Sequence, residues 1–219
     1  MTWERARKPE QKAVRRDAIL TAARELFSEL DYEEISLNGI AREAGFSKPN
    51  VYRYFSTREE IFLVIFEEEQ GKFVDALIAR LNRIRAKDPA NAIAKGWVEV
   101  ALKHRVWLDL LPQLSTSLEK NSSVQQLVDF KKAGYERFAE LIETLHRVCP
   151  TINQTAWGSV IQCGYALMAG LWSHANPGAN VVEALQHPDV DRPLCDFAGT
   201  LQSGLSALIR GSEIQPHER

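Results

Sequence analysis

The chain has 219 residues, 45% hydrophobic and 26% charged, with a formal net charge of −2. This is too apolar for a disordered chain and long enough to bury one or two cores. No run of about 18 uncharged apolar residues and no basic-then-apolar leader is present, which predicts a cytoplasmic protein without a membrane span. The near-neutral total conceals an asymmetry: within residues 1–16, Arg5, Arg7, Lys8, Lys12, Arg15 and Arg16 stand against only Glu4 and Glu10, whereas residues 59–219 carry more acid than base. Cys149, Cys163 and Cys195 never form a Cys-x-x-Cys pair and fit thiols in a reducing compartment.

In chain order, Ile19, Ala23, Leu26, Phe27 and Leu30 recur at helical spacing and predict a first helix from about Gln11 to Leu30. The basic arm ahead of it suits phosphate or minor-groove contact, and equally a solvated tail. A loop over Asp31 to Ser36 follows. Leu37, Ile40, Ala41 and Ala44 then give a second helix one apolar face, and Gly45 stops it where a left-handed residue is wanted. Ser47 caps a third helix, Lys48 to Phe55.

Stepping about 100° per residue along that third helix puts Val51 and Phe55 on one face. Pro49 and Arg53 lie opposite, Asn50 and Tyr52 on the flanks, and Lys48 at the exposed end. Arginine pairs bidentately with guanine, asparagine with adenine, and an apolar ring can touch a thymine methyl, so this is what a DNA-reading helix needs. A surface helix of a plain bundle also carries such residues.

Thr57 with Glu60 forms a capping box that opens a long helix to about Ala86, with Ile61, Ile65, Phe73, Leu77, Leu81 and Ile84 turned inward. Asp88-Pro89 opens the next helix, and apolar stretches cover Trp97–Leu102 and Trp107–Leu118, the second kinked or broken by Pro112. Asn121 to Ser123 cap an amphipathic helix, Val124 to Val148, ended by Pro150. Residues 152–174 are apolar and rich in small side chains. A loop with Pro177, Gly178, Pro188 and Pro193 leads to a last helix, about Leu194 to Arg210. No period-two Val- or Ile-rich segment survives, so the predicted fold is all-α: an N-terminal three-helix helix-turn-helix domain, residues 1–58, then a helical bundle, residues 59–219.

Ile40, Ala41, Ala44, Gly45, Phe46 and Ser47, then Tyr52, Tyr54 and Phe55, then Arg58 with Ile61 and Phe62, closely resemble the signature of the TetR/AcrR family of bacterial transcriptional regulators. The match spans about residues 14–66; Arg58 stands where lysine is commoner and Pro49 where a small residue is commoner. The resemblance implies a homodimer, joined through a four-helix interface built from the last two long helices of each subunit, on a palindromic operator in double-stranded DNA. It also implies an effector pocket in the C-terminal bundle.

The candidate DNA-binding residues are accordingly Ser36, Ser47, Lys48, Pro49, Asn50, Tyr52, Arg53, Tyr54 and Arg58, with Arg53 and Asn50 reading bases and Ser47, Tyr52, Tyr54 and Arg58 holding phosphates. Trp97, His104, Trp107, Phe130, Tyr135, Phe138, Trp157, Gln162, Tyr165, Met168 and Trp172 supply an aromatic interior suited to a small apolar or aromatic effector, though aromatics at helical spacing also form plain core. His104, His146, His174, His187 and His217 form no metal-ligand spacing, and no phosphate loop or nucleophile motif appears, so neither metal, cofactor nor enzymatic activity is expected. The reading is a ligand-responsive, DNA-binding repressor. The alternative is an activator or nucleoid-associated protein of the same fold without a small-molecule switch.

Overall fold

The computed structural model describes residues 9–190 and 192–213. Arg5, Arg7, Lys8 and His217 lie outside the described residues. Within them the chain forms helices and no strand: α1 (Pro9–Glu29), α2 (Leu37–Glu43), α3 (Lys48–Val51), α4 (Arg58–Leu81), α5 (Pro89–Ala101), α6 (Arg105–Leu110), α7 (Val124–Val148), α8 (Gln154–Ala175), α9 (Ala179–Leu185) and α10 (Phe197–Gly211). A short 3-10 turn covers Tyr32–Glu34 and a π-helical turn covers Leu114–Leu118. No described helix is long and apolar enough to cross a membrane.

The expected boundaries shift where local chemistry intervenes. The helix expected from Lys48 to Phe55 is regular only to Val51; beyond it the chain continues as turns, with the Phe55 and Tyr54 amides donating to the Val51 carbonyl at 3.1 and 2.9 Å. α4 stops at Leu81 rather than near Ala86, because Arg85 folds back to donate to the carbonyls of Asn82 and Ile84 at 3.0 and 2.7 Å. Pro112, lacking an amide hydrogen, ends α6 and separates it from the π turn. The expected loop after α8 contains the short helix α9, entered at Gly178. α10 starts at Phe197, three residues beyond Leu194, where the Asp196 carboxylate accepts from the Gly199 amide at 3.0 Å.

Two compact units divide the chain elsewhere than at residue 58: residues 1–67 with 114–130 form one, and 68–113 with 131–219 the other. The first therefore takes the opening turns of α4, the π turn and the start of α7. Its core surrounds Phe62, whose ring meets Phe27 and Tyr32 edge-on at 5.5 and 5.1 Å. Ile19, Ile40, Val51 and Ile61 are fully buried around it. α2 packs on α1 and α3 on α2. Gly45, at φ 70°, turns α2 into α3 through backbone space that side chains enter only under strain.

The segment 114–130 is tied to the start of α4 by polar contacts. Thr57 Oγ1 donates to the Asn121 carbonyl at 3.1 Å, the Ser123 amide donates to the Glu60 carboxylate at 3.3 Å, and Gln126 Nε2 donates to the Glu60 carbonyl at 2.7 Å. Half of the expected capping box is present: Thr57 accepts from the Glu60 amide at 3.1 Å, but Glu60 reaches back to the Ser56 amide at 2.6 Å instead of Thr57.

Arg58 is also inward. Its Nη1 donates to the carbonyls of Tyr32 (2.9 Å), Glu33 (3.4 Å) and Ile35, its Nε pairs with Glu59 at 2.8 Å, and its guanidinium sits 4.5 Å from the Tyr32 ring centroid. Its Nε and Nη1 donors are thus engaged within the fold, which gives Arg58 an anchoring role at the loop entering α2 beside the phosphate contact expected of it.

In the second unit α8 and α10 run antiparallel, Trp172 meeting Phe197 at 4.9 Å and Leu205 lying over Gly164. α10 also packs on α5, and α6 on α8. The α5 start is held to the α10 end by Asp88 and Arg210, 2.6 Å apart, and by Gln202 donating to Asn91 at 3.1 Å. The Asn91 amide, then Arg210, hold the Asp88 carboxyl below its ordinary pKa.

Arg58→Ala is expected to cost roughly 1–3 kcal/mol, since part-buried carbonyls lose a charged donor, with Arg58→Lys restoring little of it because an ammonium lacks the fork. Denaturant melts measure this. The salt slope of DNA affinity should stay as in wild type; an unchanged melt with a shallower slope would assign Arg58 to phosphate contact instead.

Candidate nucleic-acid interface and aromatic interior

The side chains expected to read DNA are presented by a short, well-anchored platform. Val51 and Phe55 are buried, as the 100° stepping requires, which turns the other face outward. Lys48, Pro49, Tyr52 and Arg53 are exposed, and Asn50 and Tyr54 are half-buried. Lys48 Nζ lies 5.6 Å from the Tyr52 ring centroid, so this pair forms a cationic, planar edge. Ser47 caps α3 through its backbone and makes no side-chain cap bond, leaving its exposed hydroxyl uncommitted to the helix. Ser36 differs: its hydroxyl accepts from the Gly39 amide at 3.0 Å and fixes the first turn of α2.

The structure adds partners that were read only as parts of an arm. Lys12, Arg15 and Arg16 belong to α1, and at i, i+3 and i+4 they share one face. With Ala13, Arg53 and Tyr54 they line a cleft of about 450 Å³. Arg15 is 8% exposed, and the Arg16 guanidinium sits 5.4 Å from the Phe55 ring centroid. A cationic cleft beside an exposed Arg53 concentrates positive potential where a phosphate backbone would pass. The spacing of the three residues was the available signal.

The aromatic candidates do not form one set. Phe73, which was counted as core, is the centre: Trp107 stacks on it at 4.1 Å, Tyr165, Trp97 and His104 surround it at 6.3, 6.5 and 6.0 Å, and Phe138 meets Tyr165 at 5.4 Å. Burial pushes the His104 imidazole below its ordinary pKa, against the opposing pull of Glu69. Burial likewise raises the Tyr165 phenol, whose enclosed hydroxyl has no hydrogen-bond partner among the described residues. Met168 is fully buried, and so are Trp97 and Trp157, whose indole N–H groups find no acceptor among the described residues.

Four candidates fall elsewhere. Phe130 packs on Phe66 at 6.0 Å in the first unit. Tyr135 is 69% exposed, and Gln162 is exposed on the outer face of α8. Both belong to outward sectors of their helices, which corrects their grouping with the interior. Trp172 donates to Asp109 at 2.8 Å beneath the Arg105 guanidinium, so its polar edge is already satisfied.

Residues 19–65 match the model of bacterial regulatory proteins of the tetR family, and residues 67–216 match the tetracyclin repressor-like C-terminal domain. A fatty acid metabolism regulator protein of Bacillus subtilis is 31% identical over 127 residues, covering 57% of this chain and 64% of that protein's length. The HTH-type transcriptional activator FasR of Mycolicibacterium smegmatis is 35% identical over 63 residues, 29% of each chain. In fold, the chain is similar to the Thermus thermophilus FadR, a TetR family transcriptional repressor in complex with lauroyl-CoA, with a TM-score of 0.62 at 17% identity over 93% of this chain and 98% of that one. Since the C-terminal model alone spans more than half of the sequence, and the exposed α3 face follows the helix-turn-helix it completes, the chain belongs to the TetR family and is a DNA-binding transcriptional regulator rather than an enzyme.

Proposed function

We propose that this regulator is a homodimeric repressor released from a palindromic operator by an amphipathic ligand carrying a long apolar chain. The observation that carries the ligand part is the aromatic cluster around Phe73, edged by the half-buried Phe138, Tyr165 and His104. Rings with a few polar groups at one edge suit an apolar chain with a polar end. The names of two similar proteins, a fatty acid metabolism regulator and a repressor in complex with lauroyl-CoA, support an acyl chain as that ligand.

Dimerisation is supported by the outward faces of α8 and α10. Gln162, Cys163, Ala166 and Gly170 on α8, with Thr200, Ser203 and Ala207 on α10, are exposed, and small side chains let another helix pair approach closely. A twofold dimer would present two α3 helices to half-sites about one helical turn or a multiple apart. Such a cytoplasmic switch works only through a difference in ligand affinity between DNA-competent and incompetent states. The similarity to an activator keeps the opposite sign of regulation as the second reading. A reporter driven by the chain's own operator, with and without the regulator and ligand, decides between them.

Arg53→Ala and Asn50→Ala should lower affinity for the operator more than for random DNA, each removing about 1–3 kcal/mol of discrimination. Titrations of both DNAs at one salt concentration test this; equal losses would assign the two residues to phosphates. Lys12→Ala with Arg16→Ala should instead weaken both DNAs alike and reduce the salt slope by up to about two units. Deleting residues 1–10 should reduce affinity most at low ionic strength, and full retention there would leave the arm a tail.

Trp107→Ala and Phe138→Ala separate ligand contact from packing. The stacked, buried Trp107 should lose about 3–5 kcal/mol of stability. Phe138, half-buried at the edge, should change ligand response with a smaller loss in melting temperature and near-normal operator affinity. If Phe138→Ala alters only stability, the edge of the cluster is not where the ligand lies.

A further inference from the structure

In the second unit, an arginine without an anionic partner lies next to the aromatic cluster. Arg137 on α7 is only half-buried, and its guanidinium rests against α4 at Gly71: a side chain there would place its first carbon 2.9 Å from Arg137 Cζ and 3.0 Å from Nη2. Gly71 is buried and leaves room that any other residue would fill. Its neighbour Gln70 is 4% exposed, and Tyr165, whose buried hydroxyl finds no hydrogen-bond partner among the described residues, meets Trp107 and Phe138 edge-on at 5.3 and 5.4 Å. Among the described residues no carboxylate lies within ion-pairing distance of Arg137, whereas Arg80 on the same α4 pairs with Glu99 at 2.9 Å and Arg210 with Asp88 at 2.6 Å. Trp97 and Trp157 add buried donors without acceptors in the same unit. The unmatched polar groups of this interior are thus indole donors, the Tyr165 hydroxyl, which can also donate, and a cation, and all of them suit a ligand that brings acceptors.

We propose that Arg137, set over Gly71 and beside Gln70, binds the anionic end of the ligand, while the apolar chain lies along Phe138 and Tyr165. This rests on the proposed function and names the group that gives it head-group selectivity. The shared chemistry is an apolar chain ending in a carboxylate or a phosphate. A planar fork suits either oxyanion, and an unpaired, part-desolvated guanidinium gains more from one than a solvated side chain would.

Tryptophan fluorescence titrations of the full-length protein with dodecanoate, lauroyl-CoA and dodecanol test the assignment. In wild type at least one anionic probe should bind more tightly than the neutral alcohol. Arg137→Gln should weaken that probe by about ten- to a hundredfold and change dodecanol by less than about twofold. Arg137→Lys should fall between the two, since it keeps charge without the fork. Loss for dodecanoate identifies a carboxylate, and loss for lauroyl-CoA alone identifies the phosphates. Equal losses for dodecanol and the anions in both variants would make Arg137 structural, and no loss in either would remove it from the site. Either result overturns the assignment while leaving the ligand-responsive reading intact. Failure of wild type to bind any of the three probes would overturn both.

Discussion

Three carbonyls at the entrance to the helix-turn-helix, those of Tyr32, Glu33 and Ile35, converge on the one guanidinium of Arg58. They belong to a 3-10 turn and a short extended segment in which the Tyr32 carbonyl also accepts from the Ile35 amide at 3.3 Å, and without the Arg58 donors the others would have to keep contact with water. Arg58 satisfies them from the first turn of α4, and its stacking over Tyr32 presses that ring toward Phe62. The direction of α2 follows from that clamp. The Ser36 cap, the Gly45 turn and the outward face of α3 then follow in sequence.

The local parts of this arrangement were legible because each depends on residues close in sequence. Gly45 marks a left-handed turn, and Val51 and Phe55 sit one helical turn apart and are both buried. The inward bonds of Arg58 were not legible because its acceptors lie 23 to 26 residues away, a separation that no periodicity reports. The same holds for Glu60, whose carboxylate accepts from Ser123 across 63 residues, and for the inclusion of residues 114–130 in the first unit. Lys12, Arg15 and Arg16 lie between these extremes: their spacing defines a face, but only the packing of α1 shows that the face borders Arg53 and Tyr54.

Composition overstated the aromatic interior for a related reason. A long amphipathic helix carries aromatic residues on more than one sector, and counting them along the chain does not separate the sectors. On α8 the buried set Trp157, Val160, Ile161, Gly164, Met168 and Trp172 follows a single stripe, which leaves Gln162 and Cys163 outside. On α7, Phe138 faces Tyr165 while Tyr135, three residues earlier, faces water. Trp172 shows a further distinction, because a buried indole with a carboxylate partner is complete in itself, whereas Trp97 and Trp157 are buried with their donors unmet. That unmet capacity is the feature of this interior on which the proposed ligand selectivity rests.

The chain passes between the two compact units at 67–68 within α4, at 113–114 after Pro112, and at 130–131 within α7. Two of these crossings lie within uninterrupted helix. The third follows a proline and leads into a π turn, a geometry with weaker internal bonding that tolerates rearrangement. Segment 114–130 thus follows a proline, leads into α7, and is fastened by Thr57, Glu60 and Gln126 to the same first turn of α4 that carries Arg58. In the proposed switch, a rearrangement of segment 114–130 would reach the first turn of α4 and the loop entering α2 within the same unit. A difference in ligand affinity of a few kcal/mol between the two settings would suffice to move such an equilibrium from mostly bound to mostly free.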